Sequence, residues 1–199
     1  MDFHIAGLVL LSYLAGGIPS GYLLVKRLRG FDIRERGSGN PGAANVFRMA
    51  GSVPGALTLA IDALKGYLPI LLAHRLYPGQ ETVAILCGAA AIIGHDWTIF
   101  LGFKGGKGVA TSAGVFAAIV PKTIACTVVI FILGVGFSGH ISIGSMAAAS
   151  SLPVFCLLLN DPRAFTKLAL AAAILILYKH IPNMKRLWGK KELQINEKK

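Results

Sequence analysis

Charged residues are scarce in this sequence. Only 15% of its 199 residues are Asp, Glu, Lys or Arg, whereas 54% are hydrophobic and the mean hydropathy is +0.65. Soluble domains carry about 25% charged residues, so the composition excludes that class and favours a membrane protein. The nine acidic residues against twenty Lys and Arg give a formal charge of +11. Because the basic residues fall in three clusters rather than along one face, they indicate membrane topology and no nucleic-acid partner.

Cysteine is also rare. Cys87, Cys126 and Cys156 lie inside apolar stretches, without a CxxC pair or a Cys/His metal spacing. We therefore predict small buried hydrophobes, no metal site and no cofactor. A cleavable signal peptide is not expected either, since the first apolar run, Phe3–Val25, has no basic residue before it and is too long.

The hydropathy pattern predicts an all-α, polytopic transmembrane bundle in a single domain, residues 1–199. Seven apolar stretches are candidate spans: Phe3–Val25, Ala50–Ala73, Val83–Leu101, Val109–Val120, Thr123–Phe137, Ile141–Leu159 and Ala164–Tyr178. Seven crossings with the N-terminus outside place most Lys and Arg on the cytoplasmic side, as membrane insertion favours. Merging the fourth and fifth stretches would put the basic tail, about residues 180–199, outside. We therefore predict seven spanning helices, a cytoplasmic C-terminus and a loose tail after Lys190.

A turn-forming segment, Ser38–Arg48, follows the first basic cluster in the first predicted cytoplasmic loop. Its glycines permit positive φ and close backbone approach, and its Ser, Asn and Arg side chains are donors suited to a phosphate. The alternative is a tight turn beside bases that bind lipid headgroups.

A glycine- and lysine-rich segment, Gly102–Gly108, follows Gly94-His95-Asp96 and precedes a helix that starts at Val109. A glycine loop that enters a helix N-terminus offers free N–H groups and the positive dipole end to an anion. The spacing is not that of a Walker A loop, because Gly108 stands where Ser or Thr would hold magnesium. The segment therefore predicts a phosphate-binding loop, and it gives no reason to expect nucleotide hydrolysis.

Three residue pairs lie close to predicted helix ends or inside a span. Ser142 and Ser145 share one helical face, although membrane serines commonly bond their own i−4 carbonyl. His180 and Asn183 lie in a basic segment that an anionic-lipid anchor would also explain. The last pair, Asp62 and Lys65, is an opposite-charge i, i+3 pair inside the second span, with either a functional or a structural role.

These motifs resemble those of the bacterial PlsY-type acyl-phosphate:glycerol-3-phosphate acyltransferases. Ser38–Arg48 resembles the family's GSGNxGATNxxR loop, and Asp62 with Lys65-Gly66 its DxxKG element. His95 and Gly102–Gly108 resemble its GH…GFKGGKGVAT segment.

The resemblance continues to the C-terminus. Ser142 and Ser145 resemble the family's serine pair, and His180 and Asn183 its terminal H…N pair. The chain departs from the pattern at Ala44, where the family usually has Thr, and at Glu192, which comes one residue later than usual.

The resemblance implies a bacterial inner-membrane enzyme with its active site facing the cytoplasm. It would transfer a fatty acyl group from acyl phosphate to the 1-hydroxyl of glycerol 3-phosphate, giving lysophosphatidic acid and phosphate, the first acylation of phospholipid synthesis. Its partners would be those two substrates and membrane lipids. The sequence leaves the oligomeric state open, and a monomer is compatible with it.

An acyl phosphate is already activated, so the enzyme has mainly to position it and to stabilise developing negative charge. The sequence has no HxxxxD dyad and offers no dedicated general base. The candidate catalytic residues are His95, Lys104, Ser142, His180 and Asn183. The candidate substrate-binding residues are Ser38, Asn40, Asn45, Arg48, Gly105, Gly106, Lys107, Gly108 and Ser145.

We assign the donor phosphate to the Gly105–Gly108 backbone with Ser38 and Asn40, and the acceptor phosphate to Arg48, Lys104 and His180. Lys107 would assist either phosphate. His95 and Ser142 would orient the attacking hydroxyl or the acyl carbonyl, while Asn45 and Asn183 would hold the loops together.

Two functions from other classes remain open at this point. A small-anion or phospholipid transporter would use the intramembrane pair Asp62 and Lys65, although the sequence shows no matching halves. A scaffold that binds anionic lipids through its tail would leave both glycine-rich segments unexplained.

Overall fold

The computed structural model describes residues 3–195, which are helical without a strand in that range, as predicted. Short 3-10 turns lie at Ile33–Glu35 and Ile99–Leu101. The α-helices of this range are α1 (Phe3–Gly17), α2 (Ser20–Arg29), α3 (Ala43–Ala50), α4 (Ser52–Leu76), α5 (Glu81–Asp96), α6 (Val109–Ile119), α7 (Pro121–Ser138), α8 (Ile141–Leu158), α9 (Arg163–Lys179) and α10 (Ile181–Trp188). The chain divides into two compact units, unit 1 with α1–α6 and unit 2 with α7–α10.

Each of the seven predicted apolar stretches contains a helix, and the first contains two. Pro19 has no N–H to continue the ladder of α1, so the chain breaks at Ile18-Pro19 and α2 begins at Ser20. Within residues 3–195, five segments are long and apolar enough to cross a membrane, counting α1 and α2 as one. A sixth is added if α9 and α10 form a single span bent by 49°. The fourth predicted stretch, Val109–Val120, contains α6, whose 11 residues extend about 16 Å.

In unit 1, α1 packs on α5, and α4 packs on α5 and α6. Glycines bring these helices together. A Cβ at Gly16 would lie 2.1 Å from the Ala91 carbonyl oxygen, and a Cβ at Gly66 would lie 2.1 Å from the Thr111 carbonyl oxygen. Because lipid supplies no hydrophobic driving force, such close contacts are what hold membrane helices together.

The buried face of α4 includes polar and charged side chains. Thr58, Asp62 and Lys65 are buried, whereas Leu57 and Leu64 of the same helix are exposed. A membrane helix places its leucines toward lipid and its ionisable groups toward the protein interior. The second span therefore directs its charges inward, in unit 1.

In unit 2, α8 packs on α7 and α9. The α7–α8 connection turns at Gly139, where φ is 73°. Contrary to the predicted loose tail, the chain after Lys190 folds back, and Ile195 N–H donates to the Gly139 carbonyl oxygen over 2.9 Å. Residues 196–199 of the predicted tail lie outside the described residues.

Candidate active site

The Ser38–Arg48 loop is ordered by one buried amide. The Asn45 side chain, only 1% exposed, accepts from Ser38 N–H over 2.9 Å. Its amide nitrogen donates to the carbonyl oxygens of Ile33 and Arg36 over 3.2 and 3.0 Å. Three hydrogen bonds use its donors and acceptor within the protein, so this geometry gives Asn45 the predicted loop-holding role.

Asn40 joins this loop to the glycine loop, which we define as Gly102–Gly108. Its carboxamide oxygen accepts from Gly42 N–H over 2.9 Å, which closes a turn typical of Asn. Its amide nitrogen donates to the Gly105 carbonyl oxygen over 3.4 Å. The two loops that the sequence singled out therefore lie side by side.

The glycine loop is attached to the C-terminal end of α5. Gly105 N–H donates to the Asp96 carbonyl oxygen over 3.2 Å, and Gly106 N–H donates to the His95 carbonyl oxygen over 3.0 Å. These bonds satisfy carbonyls that the end of a helix leaves without partners. The prediction that both N–H groups bind a phosphate is therefore corrected, because the loop uses them for its own conformation.

Neither Gly105 nor Gly106 has space for a Cβ beside the present position of His95. A Cβ at Gly105 would lie 2.0 Å from the His95 carbonyl oxygen, and a Cβ at Gly106 would lie 2.0 Å from Nε2 of the His95 ring. The loop is therefore packed directly against the histidine that precedes it in sequence.

The α6 N-terminus follows the loop, as predicted, with Gly108 in the left-handed region at φ 73°. Lys104 is exposed and Lys107 is half-buried. The Asp96 carboxylate lies 3.1 Å from the position of a Cβ on Gly108. First-turn N–H groups and two ammonium groups give this end of the loop a positive potential suited to an anion.

A buried ion pair lies behind the loop. Lys65 Nζ is 2.8 Å from Asp62 Oδ1, which confirms the predicted i, i+3 pair, and His95 Nδ1 is 3.8 Å from the same oxygen. Asp62 and Lys65 are 2% and 7% exposed, and His95 is 8% exposed. The pair thus belongs to unit 1's polar interior and not to a lipid-facing surface.

These groups border a small cleft with about 220 Å³ of empty space, part of it open to solvent. Its lining includes Pro41 from the first loop and Asp62, His95, Gly105 and Gly106. Of the predicted residues in unit 1, three line this cleft, and the others do not: Ser38, Asn40, Asn45, Arg48, Lys104, Lys107 and Gly108. Arg48 is itself buried in α3, at 6% exposed.

In unit 2, the two predicted serines differ. Ser145 donates to the Ile141 carbonyl oxygen over 2.9 Å, the i−4 bond expected of a packing serine. Ser142 instead donates to the Glu192 carboxylate over 3.0 Å. Only Ser142 therefore has a tertiary partner in these contacts.

Glu192 collects three donors. Besides Ser142, it accepts from Asn183 Nδ2 over 2.6 Å and from Arg186 Nε over 2.6 Å. Burial raises the pKa of Glu192, but the hydrogen bonds from Arg186 and Asn183 outweigh burial and hold this pKa below its ordinary value. Glu192 comes one residue later in the sequence than in the family pattern, but its carboxylate still contacts Ser142 and Asn183.

His180 is 3% exposed, and its Nδ1 lies 2.8 Å from the Ile176 carbonyl oxygen. Because a carbonyl only accepts, the proton of the ring must lie on Nδ1 in this contact. The structure therefore fixes the orientation of His180 within unit 2.

Three residues with buried tertiary contacts, Ser20, Thr98 and Glu192, had no role predicted from the sequence. Ser20 Oγ donates to Asp62 Oδ1 over 2.5 Å, and Thr98 Oγ1 donates to the Gly17 carbonyl oxygen over 2.6 Å. Both contacts join residues more than 40 positions apart. For Ser20 and Thr98 the one available signal was Pro19, since a proline inside a span leaves carbonyls that need outside donors.

The site of unit 1 thus places a buried histidine beside a glycine loop and a helix N-terminus. The sequence profile described as glycerol-3-phosphate acyltransferase matches residues 6–190. Glycerol-3-phosphate acyltransferase 2 of Moorella thermoacetica is 42% identical over 190 residues, covering 96% of this chain and 97% of its own. Glycerol-3-phosphate acyltransferase of Geobacter sulfurreducens is 43% identical over 180 residues, covering 90% and 92%.

Two solved structures are similar over almost the whole chain. PlsY, an integral membrane glycerol 3-phosphate acyltransferase, in its glycerol 3-phosphate form has a TM-score of 0.91 and 34% identity, covering 96% of this chain and 95% of its own. Its lysophosphatidic acid form has a TM-score of 0.88 at the same identity.

Proposed function

We propose a specific reaction for this chain, which belongs to the glycerol-3-phosphate acyltransferase family. The predicted resemblance to PlsY-type enzymes is confirmed. The chain is an integral membrane acyltransferase of phospholipid synthesis. The proposed reaction moves a fatty acyl group from acyl phosphate to the 1-hydroxyl of glycerol 3-phosphate, and yields lysophosphatidic acid and inorganic phosphate.

The observation that carries this proposal is the junction of the two loops. The Asn40 amide links the first loop to Gly105, directly before the α6 N-terminus and between Lys104 and Lys107. Helix N-termini and ammonium groups are the donors that phosphate groups select. Both proposed substrates carry a phosphate, so a doubly basic loop of this kind suits them.

The mechanism needs little covalent chemistry from the protein. Attack of the 1-hydroxyl on the acyl carbonyl forms the ester bond and breaks the bond to the leaving phosphate, which takes the electron pair. The α6 N-terminus, Lys107 and the Ser38 hydroxyl stabilise the donor phosphate, and Arg48 and Lys104 bind the acceptor phosphate. His95 orients the reacting groups, and the hydroxyl proton passes to a phosphate oxygen.

The residues of unit 2 enter the proposal from the sequence resemblance. His180 binds the acceptor phosphate, Ser142 orients the reacting groups, and Asn183 holds the Glu192 segment in place. The role of Ser145 is reduced to packing by its i−4 hydrogen bond.

The proposed topology has seven crossings, with the N-terminus outside, the C-terminus inside and the loops of unit 1 at the cytoplasmic face of a bacterial inner membrane. The 11 residues of α6 are too few to cross the hydrocarbon core by themselves. In this topology the glycine loop therefore enters the core and completes the crossing. Irregular backbone is tolerated at that depth where protein covers it. Gly106 and Gly108 are buried, in keeping with such a loop. This arrangement would bring the glycine loop and the phosphate that it binds close to the acyl chains of the bilayer.

The direct test measures phosphate release by the purified, lipid-reconstituted protein. Acyl phosphate and glycerol 3-phosphate together should release phosphate, whereas either alone, or an acyl thioester of coenzyme A in place of acyl phosphate, should not. Lys104→Ala should lower the rate by about 100-fold, and Lys122→Ala, an exposed lysine at the start of α7, should leave it unchanged. Release that survives Lys104→Ala and Gly106→Leu undiminished would exclude this arrangement, and anion flux across vesicles without release would favour a transporter.

The topology has an independent test. A reporter enzyme that works only outside the cytoplasm should be active when it is fused to the N-terminus. A reporter that works only in the cytoplasm should be active when it is fused to the C-terminus. Two ends on the same side would exclude seven crossings.

A further inference from the structure

Asp62 and Lys65 form a buried ion pair that the proposed reaction does not use. They are 2% and 7% exposed, and their charged atoms are 2.8 Å apart. Removing two charges from water costs several kcal/mol per ion, which the attraction between them only partly offsets. An apolar pair would pack as well in a membrane helix, so these charges need a reason beyond stability.

The pair holds the break in the first span. Lys65 Nζ donates to the Ile18 carbonyl oxygen over 2.8 Å, and Asp62 Oδ1 accepts from Ser20 Oγ over 2.5 Å. Ile18 and Ser20 flank Pro19, where the helical hydrogen bonds stop. The Ile18 carbonyl oxygen also accepts from Ser20 N–H over 2.9 Å, so Lys65 adds a charged donor at the break, and Asp62 ties Ser20 to α4.

The same carboxylate faces the histidine beside the glycine loop. His95 Nδ1 lies 3.8 Å from Asp62 Oδ1, a distance for electrostatic attraction rather than a direct hydrogen bond. The opposite nitrogen of the ring, Nε2, lies 2.0 Å from where a Cβ of Gly106 would be. The His95 ring therefore lies between the carboxylate and the loop, and all three line one cleft.

We infer that Asp62 and Lys65 are positioning residues, which act through His95 on the groups that the glycine loop presents. The negatively charged Asp62 Oδ1 favours the His95 tautomer that carries its proton on Nδ1, and the other nitrogen, Nε2, then faces the glycine loop. Lys65 balances that charge and fixes the broken helix that carries Ser20. This inference rests on the proposed function, since it assigns the pair a role in that reaction.

A matched pair of serine variants gives the first test. Ser20→Ala removes one donor to Asp62 but no charge, and it should lower kcat by about 5- to 10-fold with KM for glycerol 3-phosphate unchanged. Ser12→Ala removes an equally buried hydroxyl of the same span, one that bonds the Leu8 carbonyl oxygen, and it should match the parent. Asp62→Asn should lower kcat by about 10- to 100-fold, and Asp62→Glu should recover part of that loss.

Equal kcat for Ser20→Ala and Ser12→Ala would overturn the inference, and so would a loss that appears in KM alone. A merely structural role predicts less folded protein with unchanged turnover per folded molecule. Active-site titration and thermal unfolding of each variant separate these cases.

A second measurement needs no substrate and so stays informative if the proposed reaction is wrong. Nitrogen NMR of protein labelled in histidine, with His95→Gln to assign the signal, reports which ring nitrogen carries the proton. We expect Nδ1 in the parent and Ser12→Ala, and a larger share of Nε2 in Asp62→Asn. A His95 signal that Asp62→Asn leaves unchanged would overturn the inference, whereas absent phosphate release with a shifted signal would overturn only the proposed function.

Discussion

Two polar regions of this chain are built in opposite ways. In unit 1, the glycine loop is fixed by backbone hydrogen bonds from Gly105 and Gly106 to the end of α5. In unit 2, Ser142, Asn183 and Arg186 are fixed by their side chains around the Glu192 carboxylate. The first region depends on the absence of side chains, and the second depends on one charge.

The difference predicts different responses to substitution. A backbone-built loop cannot accept a methyl group where the nearest atom belongs to the main chain, because the main chain cannot rotate away. A side-chain cluster keeps its backbone when one member changes, so it loses only the hydrogen bonds of that member. Activity should therefore be most sensitive in unit 1, and graded loss of stability should be typical of unit 2.

The largest effect is expected for Gly105→Ala. The added methyl would lie 2.0 Å from the His95 carbonyl oxygen, so the loop must move, and phosphate release should fall by about 100-fold or more. Gly7→Ala is the matched control, since nothing lies within 4 Å of its Cβ position. A Gly105→Ala protein that keeps a third of the activity would contradict the backbone-built loop.

Glu192→Gln should have the next largest effect, on stability. A glutamine keeps the size of the side chain but gives Arg186 no carboxylate, so unfolding should cost about 2 kcal/mol less. That corresponds to a melting temperature about 5 °C lower, measured with a thiol-reactive dye that reports the buried Cys87 and Cys156 as they become exposed on unfolding. Glu35→Gln, at an exposed position, should leave the melting temperature unchanged, and equal values for both variants would refute the three-donor cluster.

The contribution of Glu192 should also depend on pH. Its pKa lies below the ordinary value of 4.5 in the folded chain, so the folded state favours the ionised form. The stabilisation is fully present above pH 4.5 and is lost as pH falls through the lowered pKa. Melting temperatures of the parent and Glu192→Gln should differ by a constant amount above that pH and converge below it; a gap that widens on acidification would reverse the sign.

The smallest effect is expected for Arg34→Gln, in the exposed turn before the first loop. Arg34 and Asp32 form a 2.6 Å ion pair, and the hydrogen bond from Arg34 lowers the pKa of Asp32. Because Arg34 is 38% exposed, solvent screening leaves the pair with about 0.5 kcal/mol or less. Unchanged activity and a melting temperature within about 2 °C would fit this, whereas a loss as large as that of Glu192→Gln would remove the distinction between the two regions.

Much of the fold followed from hydropathy alone. Apolar runs predicted a helix in every stretch, and the starts of α6 at Val109 and α8 at Ile141 agree with the sequence. The break at Pro19 was missed because the apolar run continues through it, and hydropathy does not register a missing N–H. The number of crossings is a property of chain and bilayer together, and helix length and composition alone give five or six candidates within residues 3–195.

The candidate site was predicted less completely. Motif spacing found the two loops of unit 1, and their contact through Asn40 and Gly105 is seen in the structure. The sequence could not reveal that the Gly105 amide is already bonded to α5, since that partner depends on how the chain folds back. Long-range contacts of this kind, such as Ser20 with Asp62, follow from tertiary packing and have no local signal.

The bonded amides of the glycine loop bear on how a small ligand binds. A loop whose Gly105 and Gly106 amides are already bonded to α5, with no space for a Cβ at either position, has less conformational freedom to lose when an anion binds. Binding then loses little conformational entropy, a cost that grows with every residue a ligand must order. A polar molecule of a few heavy atoms has too little contact area to offset such a loss. A glycine loop that is rigid before binding would therefore favour the binding of such a molecule from dilute solution.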